Sequence, residues 1–185
     1  TTDKVYKNKE RFYGYKENDE LGGFDPYSAS KAAMEIAISS YRDSFCGNAR
    51  YQNPNLLIAT ARAGNVIGGG DWSNDRIIPD LFKRWSKSKK LKIRNPNSTR
   101  PWQFVLEPIG AYLYLGSLLL RNKSKVNLQS FNIGPKKNID KKVFELIKIA
   151  KNNLNNLKFS ISKDKSKKEA KLLKLNCKKI NQFTG

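Results

Sequence analysis

The sequence predicts an α/β fold with a mostly parallel sheet, on two observations. The 185 residues include 12 Gly, 7 Pro, 2 Cys and 38% apolar residues, a composition typical of a globular domain. Segments with the period of a helix alternate along the chain with short apolar segments typical of strands. This alternation, with no internal repeat, is typical of folds in which helices cover a parallel sheet.

The first half of the chain supplies two predicted helices and two predicted strands. After an extended opening, residues 27–45 are rich in Ala, Met and Ile and predict a helix. Residues 56–68 predict an apolar strand that breaks into a glycine loop. A helix over 77–89 and a short strand over 91–95 follow.

The second half continues the alternation. An extended piece over 100–105 leads to a largely buried helix over 106–120 and then to a strand over 130–134. Residues 163–171 are rich in lysine and predict a loop or linker. Another helix places apolar side chains on one stripe at the spacing of a helix packed on a core: Val143, Leu146, Ile147, Ala150 and Leu154.

The formal charge of +20 raises the question of nucleic-acid binding. The excess falls late in the chain, where residues 136–185 hold 15 Lys against four carboxylates. Arginines on one helix face, or aromatic residues alternating with arginines, are absent from the pattern. We therefore interpret the charge as a solvated surface and expect no nucleic-acid partner.

The chain contains no histidine, and Cys46 and Cys177 lie far apart in sequence. A zinc site or a Cys–His nucleophile is therefore not predicted, and both cysteines are expected to be unpaired thiols in the core. No apolar run approaches the roughly 18 residues of a membrane span, and the opening residues lack the apolar core of a secretory signal. We expect a cytoplasmic protein without a membrane partner.

Tyr27 and Lys31 are the first candidates for catalysis. They are four residues apart at the start of the first predicted helix, so their side chains project from one face, one turn apart. An ammonium within reach of a phenol stabilises the phenolate, which can then act as a general base. The spacing alone also arises by chance in a chain with so many lysines, and its context has to decide.

That context is a set of segments in one order along the whole chain: TTDKVY, GGFDPYSASKAAME, ARAGNVIGGGDW, DRIIPD, IRNPNSTRPWQFVLEP and EAKLLKLNC. Together they resemble the extended short-chain dehydrogenase/reductase family and, within it, the CDP-glucose 4,6-dehydratases. The resemblance implies the C-terminal part of a Rossmann-type parallel sheet over residues 1–63, with NAD as cofactor. It implies a smaller α/β lobe over residues 64–185 that holds mainly the nucleotide sugar, with some elements returning to the Rossmann core.

The resemblance also implies roles for individual residues. Tyr27 would be the base at the sugar 4-hydroxyl, with Thr2 sharing the hydrogen bond, and Lys31 would bind the nicotinamide ribose. Asp3 would be the acid for the departing 6-hydroxyl. Lys4 stands where related dehydratases usually keep a glutamate that removes the C5 proton.

The substrate-binding residues implied by the resemblance are Asn65, Arg76 and Arg100. Asn65 lies in a glycine loop whose spacing does not fit the dinucleotide fingerprint. The resemblance implies instead a role for Asn65 at the sugar or its phosphates. The two arginines would contact the diphosphate, a task suited to a bidentate guanidinium. Each arginine could equally form a surface ion pair.

Two departures from the family pattern affect the expected activity. Phe104 follows PWQ where the family has histidine. A complete member would also begin with a strand, a G-x-x-G-x-x-G turn and further βα units, so we expect a truncated chain that lacks the N-terminal dinucleotide-binding half. The complete form is expected to be a homo-oligomer.

Three functions remain open at this point. The first is a nucleotide-sugar 4,6-dehydratase that converts CDP-glucose to CDP-4-keto-6-deoxyglucose. The second is an epimerase or reductase of the same family, which would share Tyr27 and Lys31 but have no use for Asp3 and Lys4. The third is a basic, non-catalytic binding module or an inactive remnant.

Overall fold

The computed structural model describes residues 1–46, 56–121, 123–135, 140–162 and 172–184. A single turn of 3-10 helix, Asp3–Val5, follows the first residues. The α-helices of the described residues are α1 (Pro26–Phe45), α2 (Ile77–Ser86), α3 (Leu106–Arg121), α4 (Lys123–Val126), α5 (Val143–Asn153) and α6 (Lys178–Thr184). Their strands are β1 (Thr60–Ala63), β2 (Asn65–Ile67), β3 (Leu91–Ile93), β4 (Thr99–Phe104), β5 (Ser130–Ile133), β6 (Asp140–Lys142) and β7 (Phe159–Ile161).

The strands pair mostly in parallel, which confirms the predicted α/β class. β1 pairs with β5 over its whole length, and Thr2 forms a parallel bridge with Ala63 at the end of β1. β2 and β4 are parallel, as are β3 and β7, whereas β6 runs antiparallel to β4. The described strands therefore form three small sheets.

The two faces of the β1–β5 sheet differ in chemistry, because successive residues of a strand point to opposite sides. Ala63, Phe131 and Ile133 lie in an apolar cluster with Leu115 of α3 and Ile180 of α6. The other face carries Thr60, Arg62, Ser130 and Asn132, and α1 lies over it through polar contacts. A strand buried between helices is usually apolar on both faces, so this polar face is unusual.

Side chains of α2, β3 and α5 form a second apolar cluster, which supports the region that carries Arg76 and Arg100. Val143 and Ile147 of the predicted stripe are buried there, and Ala150 and Leu154 pack against the cluster. Leu81 of α2, Leu91 and Ile93 of β3, and Leu157 complete its buried part. The predicted stripe is confirmed at these four positions. The division of the chain after residue 63 stays a prediction.

Ile147→Val tests this second cluster. The substitution removes one buried methylene and leaves a small cavity, so the free energy of unfolding should fall by about 1 kcal/mol. Urea unfolding followed by circular dichroism measures the change. Ile149→Val on the exposed side of α5 is the matched control and should leave the midpoint unchanged. Equal losses in both variants would show that Ile147 is not a core residue.

The prediction for residues 56–68 is confirmed in part. The strand forms as β1, but the glycine loop predicted after it contains a second strand, β2. β1 and β2 pair with different partners on either side of Gly64. A Cβ at Gly64 would lie 2.8 Å from Cγ of Pro101, closer than carbon atoms can pack. The absence of a side chain at residue 64 therefore lets β4 approach the point where the chain leaves the first sheet.

Two helix predictions also need correction. The helix predicted over 77–89 ends at Ser86. The helix over 106–120 forms, but it is not largely buried: Leu113 and Leu120 are 71% and 81% exposed, because the face opposite the sheet has no cover in the described residues. The loop predicted over 163–171 lies outside the described residues.

Cys46 and Cys177 are both buried, as predicted, and neither is in a disulfide. Among the described residues, no helix combines the length and the apolar character that a membrane crossing requires.

Candidate active site

A cavity of about 1480 Å³ opens at the carboxyl end of β1. Thr2 and Ala63 are paired at the carboxyl edge of the sheet, and both line the cavity. Ligands of open parallel sheets bind at this edge, because the loops that follow the strands converge there. Seven of the eight predicted site residues line it: Thr2, Asp3, Lys4, Tyr27, Asn65, Arg76 and Arg100.

Asp3 is a buried carboxyl group in the wall of this cavity, with 2% of its surface exposed. Its Oδ1 accepts a hydrogen bond of 3.0 Å from Oγ1 of Thr2. Its Oδ2 has no hydrogen-bond partner among the described residues. Burial raises the pKa of Asp3 above its ordinary value, although the neighbouring charges of Lys4 and Arg100 oppose the change. Compared with an exposed aspartate, Asp3 is therefore more readily protonated, and the protonated form can donate a proton.

Tyr27 stands at the first turn of α1, where local sequence fixes the start of the helix. Asp25 caps the helix by accepting hydrogen bonds from the backbone N–H groups of Tyr27 and Ser28, and Pro26 begins it. Gly23 allows the preceding loop to contact the helix, since a Cβ there would lie 2.0 Å from the backbone N of Ala29. Tyr27 is 49% exposed and is turned toward the cavity.

Lys31 lies one turn farther along α1 and does not itself line the cavity. Its Nζ is 5.7 Å from the centre of the Tyr27 ring. The phenol of Tyr27 and the ammonium of Lys31 therefore lie close together, as the helix spacing predicted. Lys4 is half-buried on the cavity wall beside Asp3, and its backbone N–H donates to Oγ1 of Thr2.

The predicted substrate-binding residues line the same cavity but differ in burial. Asn65 begins β2 and pairs with Trp102 of β4. Arg100 of β4 is buried and donates from Nη1 to the carbonyl oxygen of Thr99. Arg76 is exposed at the start of α2. One guanidinium thus lies in the wall and the other at the rim.

Phe104 ends β4 with its ring exposed and does not line the cavity. The Phe104 side chain has no polar atom, so it cannot make the polar contact that a histidine would make at this position.

A buried polar network that was not predicted from the sequence lies behind the cavity. Nη2 of Arg62 on β1 donates to Oε2 of Glu35 on α1 at 2.8 Å, and both side chains are almost fully buried. Nη1 of Arg62 donates to the Tyr6 hydroxyl and to the carbonyl oxygen of Glu17. The signal available in the sequence was a charged residue inside each of two apolar segments, at Glu35 and Arg62.

Burial shapes the ionisation of this network. Burial alone would raise the pKa of Glu35, but hydrogen bonds from Arg62 and Thr1, together with the Arg62 charge, lower it below the ordinary value. Burial raises the pKa of Tyr6 to about 12. Glu35 is therefore a carboxylate and Tyr6 a neutral phenol at neutral pH.

The chain is similar to several known proteins. It is 40% identical over its whole length to a CDP-glucose 4,6-dehydratase of Salmonella typhimurium, of which it covers 52%. It is 28% identical over 76% of its length to an uncharacterized protein of Schizosaccharomyces pombe, of which it covers 40%. The chain thus spans about half the length of the curated relatives it matches.

Two solved structures show the same fold. A dTDP-glucose 4,6-dehydratase of Bacillus anthracis in complex with NAD matches with a TM-score of 0.74 at 19% identity, over 100% of this chain and 54% of that one. A UDP-glucuronic acid 4-epimerase of Bacillus cereus in complex with UDP-glucuronic acid and NAD matches with a TM-score of 0.75 at 19% identity, over 98% and 52%. The model of the NAD dependent epimerase/dehydratase family matches residues 1–134, and the chain belongs to this family.

Proposed function

We propose that the protein containing this chain is a nucleotide-sugar 4,6-dehydratase that converts CDP-glucose to CDP-4-keto-6-deoxyglucose, with NAD as cofactor. The observation that carries the proposal is Asp3, a buried carboxyl group with a raised pKa in the wall of the cavity that Tyr27 also lines. The similarity to the Salmonella enzyme along the whole chain supports the choice of substrate. An epimerase has no use for an acid of this kind.

Tyr27 and Lys31 fit the reactive part of a nicotinamide site. The phenol is half-exposed on the cavity wall, and the ammonium lies beside it without facing the cavity directly. NAD, when bound, supplies the acceptor that takes a hydride from C4 of the sugar and later returns it to C6. Tyr27 accepts the proton of the 4-hydroxyl, Thr2 shares the hydrogen bond at the same oxygen, and Lys31 binds the ribose.

Asp3 and Lys4 serve the loss of water in this proposal. Asp3 donates its proton to the 6-hydroxyl, so that the C6–O bond breaks with release of water. Lys4 takes the C5 proton, which requires its amine to be uncharged at that moment, and the C5 electron pair forms the C5–C6 double bond. When the hydride returns to C6, Lys4 gives the proton back to C5, which completes the 4-keto-6-deoxy sugar. Asn65, Arg76 and Arg100 hold the sugar and the diphosphate, for which two guanidinium groups on one cavity suit the charge.

We also propose a cytoplasmic homo-oligomer. The oligomeric state is supported by the exposed apolar surface of two long helices, including Tyr41 and Phe45 on α1 and Leu113 and Leu120 on α3. Exposed apolar surface of this kind marks sites of contact in assembled proteins.

A chimera tests the function. In it this chain replaces the region that it matches in the Salmonella enzyme, so that the remaining half is supplied by a relative. We expect the chimera to convert CDP-glucose to a 4-keto-6-deoxy sugar, which is detected by its absorbance in base. CDP-galactose formed without loss of water would instead establish the epimerase. A folded chimera that is inactive on CDP-, dTDP- and UDP-glucose would refute the proposal.

A further inference from the structure

Several cations lie within reach of Glu35: Lys31 and Arg42 on its own helix and Arg62 on β1. Lys31 lies four residues earlier on α1, so the two side chains share a face of the helix, and opposite charges at this spacing attract each other. Arg62 approaches from β1. In the structure Glu35 is held by residues outside its own helix: Oε2 accepts from Arg62 and Thr60, and Oε1 accepts from the Thr1 hydroxyl.

Arg62 is fixed on its other side as well. Its second guanidinium nitrogen donates to the Tyr6 hydroxyl at 2.9 Å and to the Glu17 carbonyl oxygen at 2.8 Å. Only 4% of the Arg62 side chain and 1% of the Glu35 side chain are exposed. Charges attract more strongly when buried, so the carboxylate of Glu35 is held at the sheet. The ammonium of Lys31 lies over the Tyr27 ring.

We propose that Arg62 is a positioning residue for Lys31. By holding Glu35 against the sheet, it prevents a salt bridge between Glu35 and Lys31 and leaves the ammonium of Lys31 for Tyr27 and the ribose of the cofactor. The inference deepens the proposed function, and its catalytic consequence rests on that function. Its structural consequence, the choice of partner by Glu35, is tested separately.

The first test measures the reactivity of the Lys31 amine in the purified chain. The protein is acetylated briefly with an N-hydroxysuccinimide ester, and the modification of each lysine is followed by peptide mass spectrometry. In Arg62→Met, Glu35 is free to pair with Lys31, and the labelling rate of Lys31 should fall about tenfold, since a carboxylate within about 4–6 Å stabilises the unreactive ammonium. Lys87, exposed after the end of α2, is the internal control and should not change.

Glu35→Gln separates positioning from a purely structural role. It breaks the same buried ion pair but leaves no carboxylate to compete for Lys31, so labelling should stay at the parental rate. The double variant Glu35→Gln/Arg62→Met should also label at that rate. A structural role predicts similar damage from both single variants, because each leaves one buried charge without its partner. A fall in Glu35→Gln, or none in Arg62→Met, would overturn the inference.

Arg62→Gln is measured beside Arg62→Met to guard against unfolding. The amide can still donate hydrogen bonds to Tyr6 and Glu17 but carries no charge, so the same loss of labelling is expected. Far-UV circular dichroism identifies the variants that keep the parental fold, and the comparison is made among those. Parental labelling in a folded Arg62→Gln would count against the inference as strongly as in Arg62→Met.

The chimera then connects the pairing to function. Arg62→Met should lower both turnover and NAD affinity, and the double variant should recover both. The affinity is measured by calorimetric titration, which does not require turnover. If the chimera is inactive on every sugar nucleotide, the proposed function fails while the labelling pattern still decides whether Arg62 controls the partner of Glu35. Loss of NAD affinity that the double variant does not recover would overturn the link to Lys31.

Discussion

Replacing Tyr27 by Phe is expected to lower the turnover of CDP-glucose by the chimera about 10²-fold or more, the usual contribution of a positioned general base. The substitution removes the phenolate oxygen that accepts the proton of the sugar 4-hydroxyl. It retains the ring, which is half-exposed on the cavity wall, with Nζ of Lys31 5.7 Å from its centre. Initial rates at saturating CDP-glucose and NAD measure the effect on chemistry.

Tyr13→Phe is the matched control for this experiment. Tyr13 is an exposed tyrosine before the start of α1 and does not line the cavity. Loss of its hydroxyl should leave turnover within a factor of about two of the parental value, as expected for surface substitutions. Similar rates for Tyr27→Phe and the parent would mean that the spacing of Tyr27 and Lys31 is accidental.

Asp3→Asn should stop the reaction after oxidation, so the overall turnover should fall at least about 10²-fold. The amide keeps the size of the side chain and an acceptor for the Thr2 hydroxyl, but it cannot donate a carboxylic proton to the leaving 6-hydroxyl. In a single turnover, the variant should accumulate NADH together with a 4-keto-glucose intermediate, whereas the parent should show NADH only transiently. Release of the 6-deoxy product at the parental rate would make Asp3 a structural residue at the strand end.

The stability of the same variant tests the environment of Asp3 without any assay of activity. Burial raises the pKa of Asp3 in the folded state, so the native protein binds this proton more tightly than the unfolded chain does. The contribution of Asp3 to stability is therefore fully present below its ordinary pKa of 3.8 and is lost as the pH rises through the raised value. The free energy of unfolding of Asp3→Asn relative to the parent should increase as the pH rises above about 3 and through the raised pKa of Asp3. Asp43→Asn, exposed on α1, should show no such increase.

Local patterns predicted the elements correctly where neighbours in sequence decide the structure. The cap at Asp25, the start of α1 and the neighbourhood of Tyr27 and Lys31 depend on residues within one turn of each other. The apolar stripe of α5 was predicted for the same reason, since helix spacing alone places Val143 and Ile147 on one face. The family motifs also identified seven residues that line one cavity, although their spacing did not show how they meet.

Other features depended on contacts between distant segments. The segment 56–68 contains two strands that separate at Gly64, which packs against Pro101, and the helix over 106–120 is apolar on a face that no described element covers. Apolar composition indicates that a segment can be buried, but it does not say which sides of the segment find partners.

By itself, the sequence determined the α/β class and the helix that carries Tyr27 and Lys31. It also showed that the residues lining the cavity belong to the motifs of one family. Only the tertiary structure decided that Asp3 is a buried acid and that Glu35 is held by Arg62 and not by the lysine four residues before it. The physical reason is that helix geometry fixes which side chains are neighbours along the chain. The protonation of a carboxyl group depends instead on the burial and charges that distant segments bring to it.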